Sequence, residues 1–465
     1  MTTKERLYIY DTTLRDGQQT QGVTFSLDDK LRISQLLENI GIDYIEGGWP
    51  GANPVDSEFF DTKKEFAKTK LVAFGMTKRF GRSVENDETL AQVVSAGTRV
   101  VCLVGKSHDF HVKKALGISL DENVELISSS IKYLKSLGKE VHFDAEHFFD
   151  GFAANKKYAI SIVKEAMASG ADWVVLCDTN GGCMPDQVRE TIESLGEEGI
   201  DVKKLGIHAH NDTENAVANS LAAVQAGVRQ IQGTLNGLGE RCGNANLISL
   251  LPTLLLKPQF AEKFVTGVTS DSLKEITRVS RIMDDVLNRV PNRFAPYVGS
   301  SAFAHKAGLH ANAILKDTET YEHIDPELVG NERIIPVSNQ AGLSNLKEKL
   351  QQAGIKADGD TGKLSMLLKE IKDKESEGYS FDSANASFEI FARRMLGQMP
   401  NFFEVKRYRV TTERRKDTIG NTKTLSEAVV VLKIGDKETL SVSESMDEEM
   451  NDLGPVNALS KAISK

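Results

Sequence analysis

Residues 140–178 read EVHFDAEHFFDGFAANKKYAISIVKEAMASGADWVVLCD. Two short apolar runs, EVHFDAE (140–146) and DWVVLCD (172–178), flank AISIVKEAMASG (159–170), whose apolar residues recur at helical spacing ahead of a glycine stop. Strand, helix and strand in that order form a βαβ unit, because parallel strands need a crossover long enough to hold a helix. The alternation extends both ways. LYIYD (7–11), YIEGG (44–48), KLVAFGM (70–76) and RVVCLVG (99–105) come before it, and LGIHAHND (205–212) and RQIQGTL (229–235) after it. Between them, SLDDKLRISQLLENIG (26–41) offers an N-cap serine, early acids and a terminal glycine, and AVANSLAAVQAG (216–227) has the same character. Eight such units predict a closed (β/α)8 TIM barrel over residues 1–270. The near-continuous apolar strands fit burial on both faces. A doubly wound open sheet competes, but the glycine fingerprint it needs after its first strand is missing.

Past residue 270 the alternation stops. DSLKEITRVSRIMDDVLNRV (271–290) predicts a helix, GSSAFAHKAGLHANAI (299–314) a connector with two histidines, and 340–396 further helices. The run KEIKDKESEG reads as a solvated helix face. FFEVKRYRVTT (402–412), EAVVVLKIG and ETLSVSES give three strands before GPVNALSKAISK, which makes one β-β-β-α unit. The expected organisation is a barrel over 1–270, helical linker or lid subdomains over 271–396, and a partial C-terminal unit over 397–465. A lone β-β-β-α unit should leave an unpaired edge or an apolar face.

Composition excludes several classes. Hydrophobic residues at 40% and charged residues at 26% fit a soluble globular protein, and no apolar run reaches the eighteen or so residues that span a bilayer. MTTKERLYIYD enters a strand without a basic-then-apolar leader, so the expected location is the cytoplasm. Four dispersed cysteines lack CxxC spacing, which argues against a disulfide framework or a zinc knuckle. A net charge of −9 offers no general attraction to nucleic acid or an anionic membrane, so anionic substrates must be held locally.

Barrel enzymes gather their chemistry at the C-terminal ends of the strands. Arg15 and Asp16 follow the first predicted strand and Glu46 lies in the second. Glu146 ends the fifth, Asp178-Thr179-Asn180 the sixth, and His208 and His210 the seventh; Asn236, Glu240, Arg241 and Asn244 follow the eighth. On a strand, residues i and i+2 share a face, so His208 and His210 converge in the barrel mouth. Two imidazoles and a carboxylate suit a divalent metal with positions open to substrate. An isolated HxH is more often a solvent-facing pair without a ligand; Asp212, placed to orient an imidazole, and Asp16 at the same end tip the reading to a metal site. Glu146 is either a partner for a loop N–H or an acid/base group. His142 and His147 read as packing or surface residues, and Cys183, with no partner base, as a structural small residue.

DTTLRDGQQ (11–19), HAHND (208–212) and NGLGERCGNAN (236–246) resemble the signature segments of the DRE-TIM metallolyases. Within that superfamily they are similar to the condensing branch of 2-isopropylmalate, homocitrate and citramalate synthases, and YIEGGWPGANP with AFGMTKR looks most like its (R)-citramalate synthases. The resemblance implies a transferase that condenses acetyl-CoA with pyruvate and hydrolyses the thioester to (R)-citramalate and CoA, in isoleucine biosynthesis. The alternative is a 2-isopropylmalate or homocitrate synthase using a different 2-oxo acid. It implies Asp16, His208 and His210 as ligands of Mg2+, Mn2+ or Zn2+, with Asn244 beside them. Thr179 would hold the substrate carboxylate, Arg15 would face the thioester carbonyl, and Gln19 would help shape the pocket. Glu146 and His310 are the bases on offer, and Tyr321 closes the site. It further implies a homodimer in which His310 and Tyr321 reach over the neighbouring barrel. GERCG stands where the lyase branch has GGCP, which disfavours lyase chemistry. The branch's regulatory domain has two β-β-β-α units and this sequence carries one, so either the sequence is truncated or the effector site is incomplete.

Overall fold

The computed structural model describes residues 4–62, 64–314, 316–335, 342–356, 361–381, 384–399, 402–416, 422–446 and 454–465. Eight parallel strands close a barrel: β1 (Tyr8–Asp11), β2 (Tyr44–Gly48), β3 (Lys70–Met76), β4 (Val100–Lys106), β5 (Glu140–Glu146), β6 (Trp173–Asp178), β7 (Leu205–Ala209) and β8 (Gln230–Gly233). Each pairs with the next, and β8 returns to β1 in the register Tyr8–Gln230. All eight expected strands are present. The seventh is shorter than expected: β7 ends at Ala209, and His210 is held beyond it by a bridge to Asn244.

Side-chain parity sorts the barrel. Ile9, Ala73, Leu103, Phe143, Leu176 and Ile231 face outward and belong to the main core with the surrounding helices. Tyr10, Tyr44, Val72, Phe74 and Cys102 face inward. The barrel floor is aromatic: His142 meets the Tyr44 ring edge-on at 4.8 Å between centroids and Tyr8 meets Trp173 at 5.2 Å, so His142 is a packing residue. The first helix, Leu27–Ile40, starts and stops as its sequence says. Ser26 and Asp29 form a reciprocal capping box, and Gly41 ends the helix at φ 93°, a conformation that favours glycine.

The helix expected over 271–290 is two pieces, Ser270–Leu273 and Ile276–Val286. The second closes onto the barrel core through Ile276, Val279 and Met283, and Asn288 at φ 50° prevents it from running on.

Two compact units result: one runs through His305 and includes Leu309–Ile334, and the other takes Lys306–Gly308 and continues from Ile335. In the second unit the helices Leu343–Gln352, Thr361–Ser376 and Asn385–Met395 pack around Leu346, Leu350, Leu367, Ile371 and Phe388. The antiparallel sheet β9 (Glu404–Lys416), β10 (Thr422–Ile434) and β11 (Lys437–Met446) carries the helix Pro455–Ser464 over Ala428, Val430 and Leu432. That is the expected β-β-β-α order. On the opposite face Val431 pairs with Leu440 and Val429 with Val442, and Leu440 and Val442 stand exposed, the apolar face anticipated for a single unit. Among the described residues no helix is long and apolar enough to cross a membrane.

Candidate active site and metal centre

The turn after β1 is built before it is functional. Asp11 is fully buried and accepts from the Thr13 backbone N–H at 2.9 Å and the Thr13 hydroxyl at 2.7 Å. Thr13 Oγ1 accepts the Leu235 N–H, tying the turn to the end of β8. The Thr12 carbonyl accepts from the N–H groups of Arg15, Asp16 and Gly17. Burial pushes the Asp11 carboxyl up to about 7. This frame presents Arg15 and Asp16 to the barrel mouth.

Asp16 Oδ2 lies 3.1 Å from His208 Nε2 and 3.8 Å from His210 Nε2, and the two Nε2 atoms are 3.4 Å apart. Asn244 Nδ2 donates to Asp16 Oδ2 at 2.6 Å. Burial opposes ionisation of Asp16, but Arg15 and His208 outweigh it and hold the carboxyl well below its usual range. Burial, then the neighbouring His208, lowers His210 to about 4. Burial also works against a charged His208, yet the Asp16 carboxylate raises it overall.

The His208 ring is oriented from behind. Its Nδ1 lies 2.8 Å from Gln232 Oε1, and Gln232 Nε2 donates to Asp144 Oδ1 at 3.2 Å. Asp144 accepts, so the amide must present its oxygen to the imidazole. Nδ1 therefore carries a proton, and Nε2, the nitrogen toward Asp16 and His210, is the one that can give up its proton to a metal. Asp212, expected to orient an imidazole, instead receives Arg241 through two bonds of 2.8 and 2.9 Å. Arg241 also donates to the Thr179 carbonyl at 2.8 Å, so the pair braces two loops of the rim.

The donor set fits a divalent cation. One atom from each of Asp16, His208 and His210 lies within 4.8 Å of the others, all three residues are buried, and Asn244 Oδ1 is buried beside them without a hydrogen-bond partner among the described residues. Two imidazoles and a carboxylate are the mixture such ions take.

Beside this centre stands Arg15. Its Nε donates to Glu46 Oε2 at 2.6 Å, its guanidinium lies 4.0 Å from the centre of the Phe74 ring, and an Nη is 3.7 Å from Asp16 Oδ1. Glu46, fully buried, also accepts from the Tyr10 hydroxyl at 2.7 Å. Nearby carboxylates, Glu46 first, overcome the burial that disfavours the cation and raise Arg15 above its ordinary range. Glu146 ends β5 at the rim, where it pairs with Lys106. Thr179 Oγ1 accepts the His147 N–H at 2.8 Å, which leaves the hydroxyl proton free to donate into the mouth. His147 makes that contact from a left-handed backbone (φ 57°) with its ring stacked on His111 at 3.9 Å.

Arg15, Asp16, Gln19, Glu146, Thr179, His208 and His210 line one cavity of about 250 Å³ with Trp49, Phe74, Val104 and Cys177. Asn244 sits just behind. His310 and Tyr321 do not line it; their rings stack on each other at 4.1 Å in an exposed segment. Asp178 turns away to accept the N–H groups of Gly182 and Cys183, and Asn180 donates to Asp150. Cys183 is buried, and burial raises its thiol far from nucleophilic range. Asn236 donates to Ser280 and Asp284 on the helix Ile276–Val286. Gln232 and Asp144 are the members that sequence reading missed. The available signal was an amide and an acid at inward parity on otherwise apolar strands.

Replacing Gln232 by leucine removes the acceptor that sets the tautomer. Mn2+ affinity should fall about 10–100-fold, read by titration of free Mn2+ in electron paramagnetic resonance, while circular dichroism stays native.

The family model HMGL-like matches residues 6–281, and Homocitrate synthase post-HMGL domain-like matches residues 297–378. The chain is 47% identical over 465 residues to the (R)-citramalate synthase of Aquifex aeolicus, covering 99% of this chain and 85% of that one. It is 46% identical over 459 residues to that of Geobacter sulfurreducens, covering 98% and 84%. The 2-isopropylmalate synthase of Sulfolobus acidocaldarius is 34% identical over 384 residues, 82% of this chain and 94% of its own. Among solved structures, the HMG-CoA lyase of Bacillus subtilis shares the barrel fold, with a TM-score of 0.53 at 19% identity over 63% of this chain and 98% of that one.

Proposed function

This chain belongs to the HMGL-like family, and from that membership we propose that it condenses acetyl-CoA with pyruvate to give (R)-citramalate and CoA. The observation that carries the reading is 42–47% identity to five (R)-citramalate synthases over almost the whole chain. The mouth agrees with it: a cavity of about 250 Å³ lined by Arg15, Asp16, Thr179, His208 and His210 has room for a small 2-oxo acid.

Asp16, His208 and His210 would hold Mg2+ or Mn2+, with Asn244 beside them through its Nδ2 bond to Asp16. When bound, such a cation supplies Lewis-acid activation of the pyruvate ketone. The Thr179 hydroxyl donates to the pyruvate carboxylate. Arg15, its Nε engaged by Glu46, keeps its two terminal nitrogens for the acetyl thioester oxygen, where negative charge develops when the methyl group loses a proton. Glu146 is the base this chain brings to its own mouth. The resulting carbanion carbon bonds to the ketone carbon, and the ketone oxygen takes up a proton. Water then adds to the thioester carbonyl, the C–S bond breaks, and CoA leaves as the thiol. Hydrolysis makes the sequence irreversible.

The enzyme works in the cytoplasm as a homodimer in isoleucine biosynthesis. His310 and Tyr321, stacked, exposed and outside this chain's own cavity, would complete the mouth of a second copy. Mixing Arg15→Ala with His310→Ala subunits should then regenerate activity, whereas silence after verified subunit exchange rejects the shared site.

The deciding experiment is a panel of 2-oxo acids read by thiol release from acetyl-CoA. Pyruvate should exceed 2-oxoisovalerate, which is larger by two carbons, by at least the roughly 10–200-fold in kcat/KM that an apolar pocket achieves for one methylene. Preference for 2-oxoisovalerate would instead make the chain a 2-isopropylmalate synthase.

A further inference from the structure

Lys30 is a lysine with no exposed surface, on the inner side of the helix Leu27–Ile40. Its ammonium has three protons and three acceptors. It donates to the Leu14 carbonyl at 2.9 Å, to the Gly47 carbonyl at 3.0 Å, and to Asp56 Oδ1 in a buried ion pair. The Leu14 carbonyl belongs to the peptide bond that leads into Arg15, and the Gly47 residue follows Glu46. One cation therefore grips the backbone on both sides of the Arg15–Glu46 pair.

Asp56 extends the grip. Its Oδ2 accepts the Trp49 N–H at 2.9 Å, and Oδ1 accepts from Gln18 at 3.3 Å. Gly48, at φ 143°, lets the carboxylate approach, since a Cβ there would overlap it. Stability alone does not call for this arrangement. Replacing a buried ion pair by apolar groups of similar volume is often neutral or stabilising, whereas the pair holds hydrogen-bonded backbone in a defined place.

We propose that Lys30 and Asp56 are positioning residues that fix Arg15, Glu46 and Trp49 as the acyl-CoA side of the mouth. The inference rests on the condensation proposed above. Neither residue touches the metal donors: His208 and His210 sit across the cavity at the end of β7, and Asp16 is held separately by its backbone bond to the Thr12 carbonyl. The clasp acts on one half of the site.

The test is the double variant Lys30→Met/Asp56→Leu, which leaves no stranded charge, together with Lys30→Met. In the double variant kcat should fall about a hundredfold, the scale of a misplacement near one ångström. The variant should keep a native circular-dichroism spectrum, and Mn2+ affinity should fall far less than kcat, because His208 and His210 keep their places. Hydrogen exchange by mass spectrometry should speed up in peptides covering 14–19 and 47–49 and remain unchanged over 205–212. Native kcat, a parallel loss of Mn2+ binding, or failure of the double variant to fold would each overturn the proposal. If the native chain releases no CoA with pyruvate, the condensation reading fails, and the exchange pattern still decides the clasp.

Discussion

Replacing His210 by alanine should abolish Mn2+ binding and pyruvate-dependent CoA release together while the barrel stays folded. His210 contributes one of three converging donor atoms, and its Nδ1 has no hydrogen-bond partner among the described residues, so removing the ring breaks only the contacts of its Nε2 with the other two donors. A lost Lewis acid costs several kcal/mol of activation; about 4 kcal/mol corresponds to a factor of about a thousand in kcat. His208→Ala should match it in activity but also strand the buried Gln232 amide, lowering the melting temperature as well. Comparing the two separates metal loss from fold damage. Equilibrium dialysis gives metal content, and activity of the His210 variant in metal-free buffer at the native level would reject the metal centre.

The second large effect is expected at Arg15. Arg15→Lys should lower kcat by about 10²–10³, near 3 kcal/mol, with a smaller change in the KM for acetyl-CoA. Lysine retains the charge and loses the geometry. Arg15 engages Glu46 through Nε, sits over the Phe74 ring at 4.0 Å and brings an Nη to 3.7 Å from Asp16, and a single ammonium cannot do all three. Arg15→Ala should be worse for the fold, because Glu46 is fully buried and would lose its cation. A lysine variant with native kcat would show that the group at residue 15 does not face developing charge. Steady-state kinetics and thermal melts on the two variants distinguish the outcomes.

The strands were legible because a parallel barrel buries both faces of each strand, and that burial writes continuous apolar runs into the chain. Parity made His208 and His210 converge, since residues two apart on a strand must point the same way. The turn at Asp11–Gly17 was readable as polar and tight. Its double role, a capped frame carrying two functional side chains, needed the Thr13 bond to Leu235, which is 222 residues away. The Asp212 expectation failed for the same kind of reason: Arg241 occupies it, and nothing local to Asp212 announces a guanidinium from the loop after β8.

Local pattern thus determined the elements, their order and the face each side chain takes, because propensity, capping and periodicity act within a few residues. Closure of the barrel decided the partners. It set Gln232 against Asp144, 88 residues apart, and so left Nε2 of His208 as the nitrogen available to a metal. It also drew a buried lysine of the first helix onto the carbonyls of Leu14 and Gly47. Which polar groups meet depends on strand register and barrel curvature, properties of the whole ring, and no stretch of sequence holds them.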